Sequence, residues 1–383
     1  PRRQDLPQEA VWDPKELGPL LLKITDHNWH EWEIIPMALS YCWATKEHPD
    51  PTGEQTRRVA CAVRPYISGA LPCRDVAIFI DWCSLYQEPR SEEETLVFKR
   101  GLRDVNLWYA HREVISLLLT VVPEGVRAYK ERGWPSFEFA IAGLAKMDSK
   151  VLDLGVALPA PDESFSSRED VYHKLVIPSK AGRPPPCTPE AFTAKLDLLH
   201  FTNGADRGFV EGKYRNTFQE VMGSLEELNF PRLDWGAEDI KEIAAALPWC
   251  KSVDLLDITG SMIGPEGAKH IAQALPRCPP LRVLDLSSCG VGQEGLVHVL
   301  AVLPQTNVRC VFLKDNGLDD AAAESLADFV GGKRAPALHE LSLRDNSVTD
   351  AGAARLVAEL CEGSCEVRTL RLNENEGVTD ASV

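Results

Sequence analysis

A spaced apolar pattern, L-x-x-L-x-L-x-x-N-x-L with apolar substitutes, recurs through the C-terminal part of the chain and leaves few folds open to it. It reads Leu281/Leu284/Leu286/Cys289/Val291, then Val308/Val311/Leu313/Asn316/Leu318, then Leu338/Leu341/Leu343/Asn346/Val348. Weaker copies precede these at Leu225/Leu228/Phe230/Leu233 and Val253/Leu256/Ile258/Ser261/Ile263, and a last one begins at Val367/Leu370/Leu372/Asn375. Aligned on the second apolar position, the copies fall at residues 228, 256, 284, 311, 341 and 370, a step of 27 to 30. That step holds one strand and one full helix. Leu-x-Leu predicts a short strand with one apolar side. Residues 237–247, 265–275, 293–303, 320–330 and 350–360 carry apolar residues at helical spacing. No copy can bury its apolar face alone, so the copies must stack. Asn316, Asn346 and Asn375 are expected to form a ladder, bonding backbone groups of the turns from inside the stack where water cannot reach them.

The unit resembles the long, ribonuclease-inhibitor-type leucine-rich repeat. The resemblance implies an α/β solenoid over residues 224–383, with helices on a convex back and a concave parallel sheet that binds protein partners. A scaffold or spacer without a dedicated ligand is the alternative reading, since fold alone does not fix function.

A chain of 383 residues is long for one core, so further domains are expected. The formal charge of −16 is uneven: residues 224–383 hold 14 Lys and Arg against 25 Asp and Glu. The concave face is therefore expected to be acidic, suited to a basic or mixed-charge protein patch and not to nucleic acid, whose phosphates call for clustered cations. The 11 cysteines are odd in number and lack C-x-x-C spacing, and Cys42, Cys289 and Cys310 fall at core-type positions. This reads as free thiols in a reducing, intracellular and most simply cytoplasmic compartment. No apolar run reaches membrane-spanning length; the longest is 114–122. The chain starts at Pro1 and stops at Val383, where a further helix should open, so both ends are expected to be cut.

Residues 1–35 form an N-terminal extension without firm periodicity, containing Trp12, Trp29, Trp32 and an H-x-x-H at His27 and His30 that lacks a completing acid or Cys. No metal site is expected. From Pro36 to about residue 155, strand-like runs (37–43, 75–81, 113–122, 150–154) alternate with helical spacing at 54–67, 92–109 and 134–147. With right-handed crossovers that order builds a parallel sheet covered on both sides. A ligand belongs outside the carboxyl ends of such strands, where Trp43, Asp81, Ser84, Tyr86 and Gln87 arrive. Asp81 is open to two readings, a strand-end cap or a functional carboxylate.

Three segments then carry a second resemblance: Ala38-Leu39-Ser40-Tyr41-Cys42-Trp43, Phe79-Ile80-Asp81-Trp82-Cys83-Ser84-Leu85-Tyr86-Gln87 and Arg132-Gly133-Trp134-Pro135-Ser136-Phe137-Glu138. In order and spacing they are similar to the motifs of the fungal heterokaryon-incompatibility domain, itself similar to Toll/interleukin-1-receptor domains. The resemblance implies a flavodoxin-like sheet. Some domains of that superfamily cleave NAD through a glutamate in a W-x-x-x-E segment, and Trp134 and Glu138 match that spacing. Under the resemblance Glu138 would be catalytic, with Trp134 beside it and Trp43, Asp81 and Gln87 as ligand-binding residues. Pro135 departs from the family pattern, and a structural Glu138, capping the helix or pairing with Arg132, is the other reading.

Residues 156–223 are Pro-rich at first, then carry helical spacing at 189–201 and 214–228, expected to cap the repeats. Together with the incompatibility-like motifs this segment resembles proteins of unicellular algae. No phosphate-cradling G-x-x-x-x-G-K-[ST] occurs. Two function classes remain. One is a protein-interaction scaffold with a receptor-like adaptor domain, without a cofactor, possible as a subunit of a larger assembly. The other is an effector of a self/non-self recognition system that cleaves NAD as its substrate.

Overall fold

The structure is a computed structural model and describes residues 1–13, 15, 34–71, 73–332, 338–362 and 366–379. Trp29, Trp32 and the H-x-x-H lie outside the described residues. The chain divides into two compact units, Pro1–Arg183 with Pro189–Thr217, and Pro184–Thr188 with Phe218–Val383.

The first unit is built on a four-stranded parallel sheet of order β2-β1-β3-β4. Its strands are β1 (Ile34–Tyr41), β2 (Asp75–Phe79), β3 (Ile115–Leu119) and β4 (Val151–Asp153). All eight residues of β1 are buried, as a central parallel strand with both faces covered requires. Alternation splits β1 between two cores. Ile35, Met37, Leu39 and Tyr41 pack with Val59, Ala62, Val63 and Tyr66 of helix α1 (Glu54–Ile67). On the opposite face Cys42 and Leu118 pack with Tyr129 and with Ala142 of the helix that follows β3.

At the end of β2 a one-turn helix α2 (Asp81–Ser84) starts directly from the strand. Helix α3 (Glu92–Arg103) opens with a capping box: Ser91 Oγ accepts from Glu94 N at 3.1 Å, and Ser91 N donates to the Glu94 carboxylate at 2.9 Å. The single helix expected over 92–109 breaks at Asp104, and α4 (Asn106–Ala110) runs separately. Helix α5 (Gly133–Ala145) follows β3 and brings Trp134 and Glu138 to the carboxyl end of the sheet. Continuous helical turns run from Arg168 to Ser179, and helices α6 (Pro189–Leu196) and α7 (Asp206–Ser224) follow before the repeats. Helix α7 begins eight residues before the expected Tyr214, because Gly208 and Gly212 interrupt the apolar spacing in its first half while Asn203 and Asp206 close the turn that starts it. The segment expected to cap the repeats divides at Thr217, with Pro189–Thr217 belonging to the first unit.

The second unit carries six strands, β5 (Glu227–Asn229), β6 (Leu255–Asp257), β7 (Val283–Asp285), β8 (Cys310–Phe312), β9 (Glu340–Ser342) and β10 (Thr369–Arg371). They form one parallel sheet in strict chain order. Pairing aligns Leu228, Leu256, Leu284, Val311, Leu341 and Leu370 across it. Helices α8 (Ala237–Ala246), α9 (Gly264–Ala274), α10 (Gly292–Val302), α11 (Asp320–Gly331) and α12 (Asp350–Glu362) alternate with the strands. Four residues after each aligned position the backbone turns left-handed: Arg232, Gly260, Ser288, Asp315, Asp345 and Glu374 have φ between 52° and 74°. Five of these six are not glycine, a strained choice held by the stack around it. The same backbone geometry therefore recurs in every copy.

Candidate functional site

At the carboxyl end of the four-stranded sheet, β1, α2 and α5 surround a cleft of about 640 Å³. The five candidates Trp43, Asp81, Gln87, Trp134 and Glu138 all line it, together with Tyr41, Arg90 and Arg132.

Asp81 accepts hydrogen bonds from Tyr41 Oη at 2.7 Å, Trp43 Nε1 at 2.9 Å and its neighbour's amide, Trp82 N, at 2.6 Å. It is thus both a strand-end cap and the anchor that orients the two aromatic side chains at the mouth of the cleft. Burial still pushes its carboxyl above the usual range, because the three donors offset only part of the lost hydration. Gln87 turns its amide onto the backbone, donating to Asp81 O and Leu85 O at 3.1 and 2.8 Å, and so holds the loop after α2.

Glu138 keeps part of its surface open to the cleft although protein surrounds its carboxyl on the other sides. Burial pushes it up to about 8; Ser40 and Tyr109 hydrogen bonds work against that, and the Asp81 charge adds to it. Ser40 Oγ donates to Glu138 Oε2 at 2.5 Å and lies 2.5 Å from Tyr129 Oη. Among the described residues Glu138 has no ion pair: Arg132 Nη2 donates to Thr202 Oγ1 instead. Trp134 sits one helical turn before Glu138, packs on Phe137 and Phe209, and donates its indole N–H to Asp206 at 3.0 Å. Arg90 also lines the cleft, and its guanidinium is paired with Glu88 at 2.5 Å. It stacks 3.7 Å over the Phe98 ring, bonds Tyr86 O, and leaves its buried Nε without a partner.

Two half-buried carboxylic groups, the Tyr41 phenol and the arginines Arg90 and Arg132 line the cleft and can hold a ligand carrying both hydroxyls and an anionic group. Among the described residues no group of His, Cys, Asp and Glu is arranged to hold a metal. Ser40, Tyr109 and Tyr129 escaped the sequence reading. Ser40 lies in an apolar run that also carries the first motif of the resemblance, and no local signal says which face a small polar residue takes.

The second surface lies on the repeats. Asn316 Oδ1 accepts from Cys289 N and Val291 N at 3.2 and 2.9 Å, and its Nδ2 donates to Leu286 O at 2.9 Å. Asn375 Oδ1 accepts from Val348 N at 3.0 Å while its Nδ2 donates to Leu343 O at 2.9 Å. These bonds run between copies, so each turn is satisfied by the next. Outward from the aligned leucines the strands show their other side. The expectation of an acidic face is corrected here to one of mixed charge: Glu227, Asp257 and Asp285 stand on β5–β7, but Lys314, Arg344 and Arg371 stand on or beside β8–β10. Much of the acid surplus sits on the helices, for example Glu238, Glu266, Asp320 and Glu324, where net charge says nothing of the strand face.

Among the described residues no helix is long and apolar enough to cross a membrane. The ten described cysteines carry free thiols. No curated protein matches the chain. Residues 277–298 and 336–357 match the Leucine Rich repeat family, each span containing one strand of the six-stranded sheet and the start of the helix after it. The C-terminal region of this protein carries leucine-rich repeats.

Proposed function

We propose that this protein binds another protein through the strand face of its repeats, with the N-terminal sheet domain serving as a receptor-like adaptor. The observation that supports this most is the row of outward side chains on six consecutive parallel strands, whose own helices pack behind the sheet and leave Leu255, Val283, Cys310 and Phe312 half-buried. A half-buried apolar row flanked by charges is the make-up of a protein interface core with a polar rim. The reading takes the repeats as a solenoid with this sheet on its concave side. The test is a pair of full-chain variants, Phe312→Asp on the strand face and Val297→Asp on the exposed side of α10. Loss of partner capture with the first and retention with the second is expected; the reverse would reject the reading.

A second reading rests on one observation, Glu138 facing an open cleft with Tyr41, Trp43 and Asp81 and, among the described residues, without a paired cation. The motifs resembling the incompatibility domain, and the flavodoxin-like order of the sheet, favour NAD as a substrate. In that chemistry the glycosidic bond between ribose and nicotinamide breaks, the electron pair leaves with the nicotinamide, and water adds to the ribosyl carbon. The Glu138 carboxylate would hold the ribose hydroxyls and stabilise the oxocarbenium-like state, with Arg90 and Arg132 toward the diphosphate. Nicotinamide release from NAD by the wild type, abolished in Glu138→Ala, is the expected result. No release by the wild type leaves the cleft without this activity.

A further inference from the structure

We infer that the strand face of the repeats takes a bipolar protein segment, whose basic part lies over β5–β7 and whose acidic part lies over β8–β10. The inference rests on the reading of that face as a protein-docking surface, and adds the order of charge its partner must carry.

Three columns of side chains define the face: one residue before, one after and three after each aligned apolar position. Over β5–β7 these columns contain Glu227, Asp257 and Asp285 and neither Lys nor Arg. Over β8–β10 they contain Lys314, Arg344 and Arg371 against the single acid Glu340. The adjoining column, two residues before each aligned position, changes sign along the same direction: Glu226, Asp254, Arg282, Arg309, His339, Arg368. Two columns, one after and two before the aligned position, thus switch from acid to base; the column three after is neutral and then gains Lys314 and Arg344, and the column one before keeps an acid in each half, Glu227 and Glu340. Where β7 meets β8 lie the half-buried Val283, Cys310 and Phe312, an apolar seam between two charged fields.

The basic half is shaped as well as charged. A hollow of about 240 Å³ is lined by Asp285, Ser287, Phe312, Lys314, Arg344 and Arg371, among others. Its cations have partners toward the edge of the sheet: Lys314 lies 3.7 Å from Asp345, Arg371 bonds Glu340 at 2.8 Å, and Arg344 bonds Glu374. These pairs are exposed and therefore weak, so a partner's carboxylate can share the cations at little cost. The hydroxyl of Ser287 and the ring of Phe312 give it a polar and an apolar wall. A uniformly basic partner, the one the net charge of the repeats would call for, meets like charge over this half. A partner with both signs meets opposite charge along the whole face in one direction only.

The test uses the full chain and three synthetic peptides of equal length around one apolar centre, one basic then acidic, one uniformly basic, one uniformly acidic. Fluorescence anisotropy at low salt should rank the bipolar peptide first, by about tenfold over either of the others. A photo-crosslinker on its basic end should attach within residues 226–285. The double variant Lys314→Glu with Arg344→Glu makes the face acidic throughout, and should move the preference to the uniformly basic peptide. Either uniform peptide binding the wild type as tightly as the bipolar one overturns this inference alone. Binding of none of the three overturns the docking surface with it.

Discussion

Asn346 Oδ1 accepts the backbone N–H groups of Asn316, at 2.9 Å, and of Leu318, at 3.0 Å, so one side-chain amide closes the turn of the preceding repeat. Its Nδ2 donates to Leu313 O, Leu343 O and Arg344 O at 2.9 to 3.0 Å. Asn346→Ala leaves these groups without partners in a site that water reaches poorly. A loss of about 2–3 kcal/mol is expected in urea unfolding of the repeats. Asn346→Asp keeps the acceptor but turns a carboxylate oxygen toward three carbonyl oxygens, and should cost at least as much.

Glu138 gives a pH signature that does not depend on any ligand. Its carboxyl moves from an ordinary 4.5 up to about 8 in the folded chain. The folded state therefore keeps a proton that the unfolded chain gives up, and this contribution to stability is complete below about pH 4.5 and lost as pH rises to about 8. Glu138→Gln, which cannot ionise, should match the wild type near pH 4.5 and exceed it at pH 9 by roughly 2–4 kcal/mol. Thermal midpoints across that range measure the difference. A constant offset between the two proteins would show that Glu138 ionises freely in the fold.

Lys146 is fully buried and donates to Val114 O at 2.5 Å. Burial holds its amine well below the ordinary 10.5, so the folded state favours the neutral form, and its contribution to stability falls as pH drops from above 10.5 toward the folded value. Lys146→Met keeps the length of the side chain and removes the charge. The variant should be more stable than the wild type at pH 6 by on the order of 1 kcal/mol or more, with the gain shrinking toward pH 10. Thermal unfolding at the two pH values tests it.

If the cleft cleaves NAD, the same titration sets its rate. The carboxylate form of Glu138 is the active one, so kcat/KM should rise as pH goes from 6 through about 8 and then level. A rate highest at pH 6 would assign Glu138 the role of acid instead.

The repeats were legible because their period is carried by large apolar residues whose places the stack cannot vary; Leu256, Leu284 and Leu341 announce the sheet by spacing alone. The carboxyl-end position of Asp81 was legible for a similar reason, since strand ends follow from apolar runs, whereas Glu138, on a helix, was reached only through the W-x-x-x-E resemblance. What spacing could not give was tertiary. Tyr129 reaches Ser40 across 89 residues, and Tyr109 reaches Leu39 O across 70, by contacts that no local pattern records. The start of α7 at Asp206 was hidden by two glycines. Nor does a summed charge disclose which acids lie on helices and which on strands, so the split face of the repeats needed coordinates.

Site-specific photo-crosslinking in the cell of origin tests the docking face most directly, with a photoreactive residue in place of Phe312 on the strand face or of Val297 on the exposed side of α10. The account predicts a protein adduct from position 312 and none from 297. An adduct from 297 with none from 312 would contradict it.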